Sequence, residues 1–236
     1  MSSTTNKQQS LNQLLNLFKK HFDSPDLERR PVMEELLYGV LREGTTRPLA
    51  DKAYCNLQER FFDWNEVRVS SPQEVAEAIA DLPDAGAKSE RIVGILQEVF
   101  ETTYSFKLDD IDKKGLKNAA KQLGRMEDVS DYTVAWVLQQ ALGGHALPLD
   151  QPSLRTLRRL GVIEDEIDDL EQLRGSLEHH IPKAKGTLFL EGISEVAKEY
   201  CWEDNPHCSS CPLRSECPTG QTRPQSESRS TRMKPR

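Results

Sequence analysis

Apolar residues return every three or four positions along most of the chain. Leu11, Leu14, Leu15, Phe18 and Phe22 share one helical face and predict an amphipathic first helix. Pro25 and Pro31 interrupt that pattern and mark a linker over 23–31, after which the helical spacing resumes and runs to about Leu41. Ser71, Pro72 and Glu74 supply an N-cap, a first-turn proline and the acid of a capping box. The helix they open carries Val75, Ala78, Ile79 and Leu82 and stops before Pro83. Ile92, Ile95, Leu96 and Val99 predict a further helix, and so do Leu116, Ala119, Ala120 and Leu123. Another runs from Tyr132 to about Leu142, ahead of Gly143–Gly144. There is no convincing alternating run of the strand kind and no internal repeat. The pattern predicts an all-α protein.

At 236 residues the chain can bury a core without covalent staples. No apolar run approaches the ~20 residues of a membrane span, and the N-terminus lacks the apolar core of a signal peptide. A cytoplasmic, monomeric protein is therefore expected. The net charge is −7, from 38 acids against 31 lysines and arginines, so the chain as a whole has no basic footprint. Residues 161–180 hold seven acids against one arginine and are expected to form a solvated helix face. Residues 221–236 hold five basic groups, one acid and no apolar pattern, as in a disordered basic tail.

The chemistry is concentrated near the C-terminus. Four of the five cysteines lie in CWEDNPHCSSCPLRSEC, as Cys201-x6-Cys208-x2-Cys211-x5-Cys217. In a reducing compartment such clustering points to metal rather than disulfides. Four thiolates on one loop suit either a tetrahedral zinc ion or a [4Fe–4S] cluster. Zinc sites more often pair two C-x2-C knuckles, whereas here there is one, which favours iron–sulfur modestly. Pro206, Pro212 and Pro218 stiffen the loop, and the apolar stretch Leu188–Tyr200 predicts a helix that delivers Cys201. Cys55 stands apart and is expected to be a core thiol.

This cysteine loop, following an aromatic-ended helix, resembles that of endonuclease III and the adenine-mismatch glycosylases. The resemblance extends over roughly residues 30–217. GAKSERI (86–92) is similar to the family's Ser-Lys-Ala segment. MEDVSDYTVAWVLQQALGGHALPLDQPSLRTLRRLG (126–161) is similar to its helix-hairpin-helix and catalytic-aspartate block. The resemblance implies two helical lobes, a six-helix barrel over 30–146 and a cluster lobe built from 1–29 and 147–220, with 221–236 as the tail. It also implies a [4Fe–4S] cluster on Cys201, Cys208, Cys211 and Cys217, and a groove for double-stranded DNA.

In bifunctional family members a hairpin lysine attacks the sugar C1′ and forms a Schiff base. Tyr132 occupies that place, and a phenol cannot form an imine. The resemblance therefore implies an N-glycosylase without lysine-based lyase chemistry. Asp150 matches the family's aspartate and, with Tyr132, makes the candidate catalytic pair. As an ordinary helix N-cap, Asp150 is also explained without catalysis.

The surfaces that would meet DNA depart from the family pattern. Asp128 and Ser130 replace the hairpin glycines, and Glu127 and Asp131 add charge beside them. The loop between Cys201 and Cys208 has two acids and no lysine or arginine. EGTTRP (43–48) stands where the family has a wedge for the hole left by a flipped base. Arg155, Arg158 and Arg159 form a basic stripe that either contacts phosphate or pairs with the acids of 161–180, pairing being slightly favoured. DNA binding is accordingly expected to be weak. The alternative function is a non-catalytic iron–sulfur protein on the same scaffold, with an interaction or redox role.

Overall fold

The computed structural model describes residues 2–22, 29–164 and 169–223, with the backbone alone for 2–6, 109 and 112. The linker residues 23–28, the acids at 165–168 and the tail from 224 lie outside the described residues. Among these residues every regular element is a helix. None is long and apolar enough to cross a membrane.

Buried apolar side chains form two clusters. The first belongs to α2 (Val32–Arg42), α3 (Arg47–Arg60), α4 (Trp64–Val69), α5 (Pro72–Ala78), α6 (Ala85–Thr103), α7 (Asp109–Lys113), α8 (Leu116–Leu123) and α9 (Asp131–Gln140). Leu36, Leu37 and Leu41 of α2 meet Ile92 and Ile95 of α6 and Trp136 and Val137 of α9. The second cluster joins the two ends of the chain. Leu11, Leu14, Leu15 and Phe18 of α1 (Ser2–His21) pack with Leu154 and Leu157 of α10 (Gln151–Arg159). Leu173 and Leu177 of α11 (Leu170–His180) and Phe189 and Ile193 of α12 (Gly186–Glu199) complete it. A short α13 (Pro218–Thr222) closes the described chain, so Gln221 and Thr222 end a helix rather than open a tail. Proline at its start and the Gly220 N–H on the Cys217 sulfur hold that turn.

Helix starts follow local chemistry. Ser71 and Glu74 form the capping box expected of them, and Ser130 and Asp150 cap α9 and α10. Helix α5, however, ends at Ala78, with Ile79 and Leu82 beyond it in tight turns that still bury both side chains. Periodicity alone cannot see such an ending, because the turn keeps the apolar residues pointed inward.

Cys55 is not a core thiol. Ala53, Tyr54 and Leu57 take the inner face of α3, which turns Cys55 outward to Glu59 at 3.4 Å. That carboxylate raises the thiol pKa by accepting its hydrogen bond.

A buried ionic knot joins the two clusters. Arg42, at the end of α2, reaches Ser194 Oγ (2.9 Å) and Glu191 (3.1 Å) on α12. Arg47 pairs with the other oxygen of Glu191. Burial would raise the Glu191 pKa, but the two guanidinium groups outweigh it and hold the carboxyl below its ordinary value. Desolvation offsets much of the attraction in such a pair, so its main effect is to fix the register of α12 against α2.

Candidate functional site

Asp150 sits where the second cluster meets the first. As N-cap of α10 it accepts the Ser153 N–H (2.9 Å), and it also accepts the Gly44 N–H at 3.0 Å. Gly44 has φ +74°, a conformation that favours glycine, and this turns its N–H toward the carboxylate. Lys198 of α12 completes the set with an ion pair at 3.1 Å. Burial alone would raise the Asp150 pKa, but Lys198 and the Ser153 bonds hold it below the ordinary carboxylate range. Asp150 is thus buried and ionised. The Lys198 pKa is itself lowered, by burial first and by Arg42 and Arg155 nearby, against the pull of Asp150.

Asp150 borders an open cavity of about 290 Å³ whose walls include Glu43, Gly44, Lys88, Arg91 and Gln151. Lys88 is almost fully buried and caps the C-terminal end of α2. Its ammonium donates to the carbonyls of Val40 (2.7 Å), Leu41 (3.3 Å) and Glu43 (2.5 Å). Burial pushes its pKa down to about 8. Glu43 ties the cavity wall to the loop between α8 and α9. Its carboxylate accepts Ser130 Oγ–H (2.7 Å) and Arg91 (2.9 Å), while Arg91 Nε also donates to the Asp128 carbonyl (3.1 Å).

Tyr132 is not on this cavity. It lies in the first turn of α9, 3% exposed, stacked on Trp136 at 6.2 Å, and its hydroxyl has no partner. Burial raises its pKa far above that of a free phenol, opposed by Arg42. Asp150 borders the cavity, and Tyr132 is enclosed but near enough for the Asp150 carboxylate to raise the phenol's pKa further. The segment 43–48 likewise serves the junction, since Thr45 and Thr46 are buried and Arg47 is paired inward.

Two arginines of the stripe, Arg155 and Arg159, turn to the cysteine loop, while three of the acids of 161–180 lie outside the described residues. Arg155 Nε donates to the Cys201 carbonyl (3.0 Å), and Arg159 reaches the carbonyls of Trp202 (2.5 Å) and Glu203 (2.9 Å). The chain leaving α12 turns directly over α10, and its unpaired carbonyls are the acceptors nearest the guanidinium groups. Arg158 lines an adjoining surface hollow with Gln151 and Glu203.

Cys201, Cys208, Cys211 and Cys217 line one shared pocket with Leu160, Val196 and Gly220. Burial pushes the Cys211 thiol up to about 11, and the three other sulfurs add to that. Gly220 N–H (3.3 Å) bonds Cys217 Sγ, and Arg159 (3.5 Å) bonds Cys201 Sγ. Among the described residues no three His, Cys, Asp or Glu side chains gather closely enough for a single metal ion. Four convergent thiols, with N–H donors on two of them, are a donor set that suits either a tetrahedral zinc ion or a polynuclear iron–sulfur cluster.

The path of the chain matches solved structures along nearly its whole length. Endonuclease III, trapped as a covalent intermediate with DNA, superposes over 94% of this chain and 98% of its own, at TM-score 0.68 and 20% identity. A thermostable thymine-DNA glycosylase does so over 93% and 99%, at TM-score 0.66 and 19% identity. The H. pylori 3-methyladenine DNA glycosylase bound to 1,N6-ethenoadenine covers 82% and 97%, at TM-score 0.61 and 18% identity. This is the helix-hairpin-helix DNA glycosylase fold. No family model matches the sequence, and no curated protein matches it. The loop 124–130 joins α8 to α9 in the segment whose sequence resembles the helix-hairpin-helix.

Sequence reasoning missed Lys198, Gly44, Arg42 and Glu191. Lys198 and Glu191 fall in the helix whose apolar residues predict the delivery of Cys201 to the loop. Nothing local names their partners.

Proposed function

We propose that the protein is an endonuclease III-like iron–sulfur DNA glycosylase that releases a base from duplex DNA without Schiff-base chemistry. The observation that carries this reading is Asp150, an ionised carboxylate on the wall of a cavity between the two helical cores. In hydrolysis, water bonds to the sugar C1′ as the N-glycosidic bond breaks. The base leaves with the bonding pair and takes a proton, and water gives one up. Asp150 would stabilise the positive charge developing on the sugar. Tyr132, enclosed against Trp136, would act as a packed wall that positions the hairpin, and it offers no amine for an imine.

Cys201, Cys208, Cys211 and Cys217 would hold the [4Fe–4S] cluster. Bound there, the cluster cross-links a loop that has little apolar content of its own. Arg159 and Gly220 already aim N–H groups at two of its sulfurs.

The test is base release from duplexes carrying alkylated, oxidised, deaminated or mismatched bases. Release should leave the strand intact until alkali is added, give no borohydride-trapped adduct, and disappear in Asp150→Asn. A second reading has its own support: Gly44, Ser153 and Lys198 already surround Asp150, leaving it little freedom for catalysis. No release from any substrate, with roughly four irons per chain, would favour a non-catalytic iron–sulfur protein on this scaffold. Stoichiometric zinc in anaerobically prepared protein would overturn the cluster assignment.

A further inference from the structure

In a chain with 38 acids and 31 lysines and arginines, residues 113–125 carry five cations and no acid. They are Lys113, Lys114, Lys117, Lys121 and Arg125, and all five are exposed. Ala119 and Leu123 turn the inner face of α8 into the core, which leaves Lys117 and Lys121 one turn apart on the outer face. Lys113 pairs with Asp110, and Lys114 donates to Gln122 at 3.1 Å. Among the described residues no carboxylate pairs with Lys114, Lys117, Lys121 or Arg125.

The position of this row matters as much as its charge. Helix α8 runs into the hairpin, where Ser130 is bonded to Glu43 on the cavity wall. The row therefore leads into the hairpin, with Arg125 five residues before Ser130. The hairpin itself is poorly suited to phosphate. Its Glu127 N–H is held by the Glu98 carboxylate (3.2 Å), and Glu127 and Asp131 are exposed acids. Arg155 and Arg159 are occupied with carbonyls of the cysteine loop. Among the described residues Lys114, Lys117, Lys121, Arg125 and Arg158 have no carboxylate partner, and the first four lie along or next to α8.

We propose that Lys114, Lys117, Lys121 and Arg125 form the principal phosphate-contact surface and hold one strand of a DNA duplex. The proposal rests on the glycosylase reading. At a rise of 1.5 Å per residue Lys117 and Lys121 lie about 6 Å apart along α8. Along its axis a DNA strand presents about two phosphates over that distance, at ~3.4 Å each. A row of one sign reads charge and not base sequence, so binding is indifferent to sequence. A protein partner would want a buried aromatic or aliphatic anchor at the centre. On α8 the large apolar side chain in the open is Leu116, at 44% exposure.

The experiment is fluorescence anisotropy of the full-length protein on a labelled duplex across a salt series, beside the base-release assay. The variant combines Lys114→Gln, Lys117→Gln, Lys121→Gln and Arg125→Gln. Its slope of log affinity against log salt should flatten by about 3–4, since each lost contact removes ~0.9. Its circular dichroism and iron content should match wild type. The single variants Lys117→Gln and Lys121→Gln, each expected to flatten the slope by about 0.9, keep the test usable if the combined variant misfolds. Base release with an unchanged slope overturns the α8 surface and leaves the glycosylase reading standing. A flattened slope with no base release from any substrate overturns the glycosylase reading and leaves the surface standing. Polyglutamate bound as tightly as duplex, and lost in the same variant, overturns DNA as the partner in favour of an acidic protein.

Discussion

Lys88 shows how much one residue can be asked to do. Its ammonium is buried so that it can close three carbonyls at the end of α2, and this pushes its pKa down from 10.5 to about 8. Folding thus lowers the pKa, and the native state releases this proton before the unfolded chain does. Between about pH 8 and 10.5 the unfolded state binds more protons, so this group makes stability rise with pH. Urea unfolding of wild type and Lys88→Met across that window should show the difference between them shifting in wild type's favour as pH increases. A difference that stays constant with pH would show that Lys88 keeps an ordinary pKa. The segment containing Lys88 was recognisable in GAKSERI. Its acceptors were not, because they lie more than forty residues earlier and exist only once α2 has ended.

At the scale of elements, α1 and α12 meet with almost no clearance. A Cβ added at Gly192 would lie 2.3 Å from the ring of Phe18, which itself is fully buried against Phe189 at 6.1 Å. Gly192→Ala gains up to ~1 kcal/mol of helix propensity. It must then displace an aromatic ring in a packed core, which costs about 1–3 kcal/mol. The loss should win, lowering the Tm by several degrees. An unchanged or higher Tm would show that Phe18 has somewhere to go. The apolar spacing predicted both helices, including Phe18 at a core position. It could not indicate that position 192 needs the smallest residue, since that depends on where the other end of the chain packs.

For the whole molecule, the two cores are held by different means. The core of α2–α9 is broad and apolar, whereas the lobe made from both chain ends depends on a cysteine loop with few buried side chains beyond Leu213. Cys208→Ala should therefore lose iron, lower the Tm and release amide protection first in α10 and α12, while α6 and α9 stay protected. Cys55→Ala should change neither iron content nor Tm, because that thiol is exposed and its hydrogen bond runs to the exposed Glu59. Equal losses in the two variants, measured by thermal melts and hydrogen exchange, would contradict this division.

The sequence by itself determined the helical content, the capping box at Ser71, the N-cap at Asp150 and the four-cysteine loop. Each of these is a matter of spacing within a few residues, which the chain carries wherever it goes. Tertiary structure alone decided that Tyr132 is enclosed while Asp150 borders a cavity, and that Lys198 and Gly44 engage that carboxylate. It also decided that Arg42 and Arg47 share Glu191, and that Arg155 and Arg159 serve the cysteine loop. These contacts join residues from 42 to 149 positions apart. Charge attracts at any sequence distance, and only the packing of the two cores selects which opposite charge comes within reach.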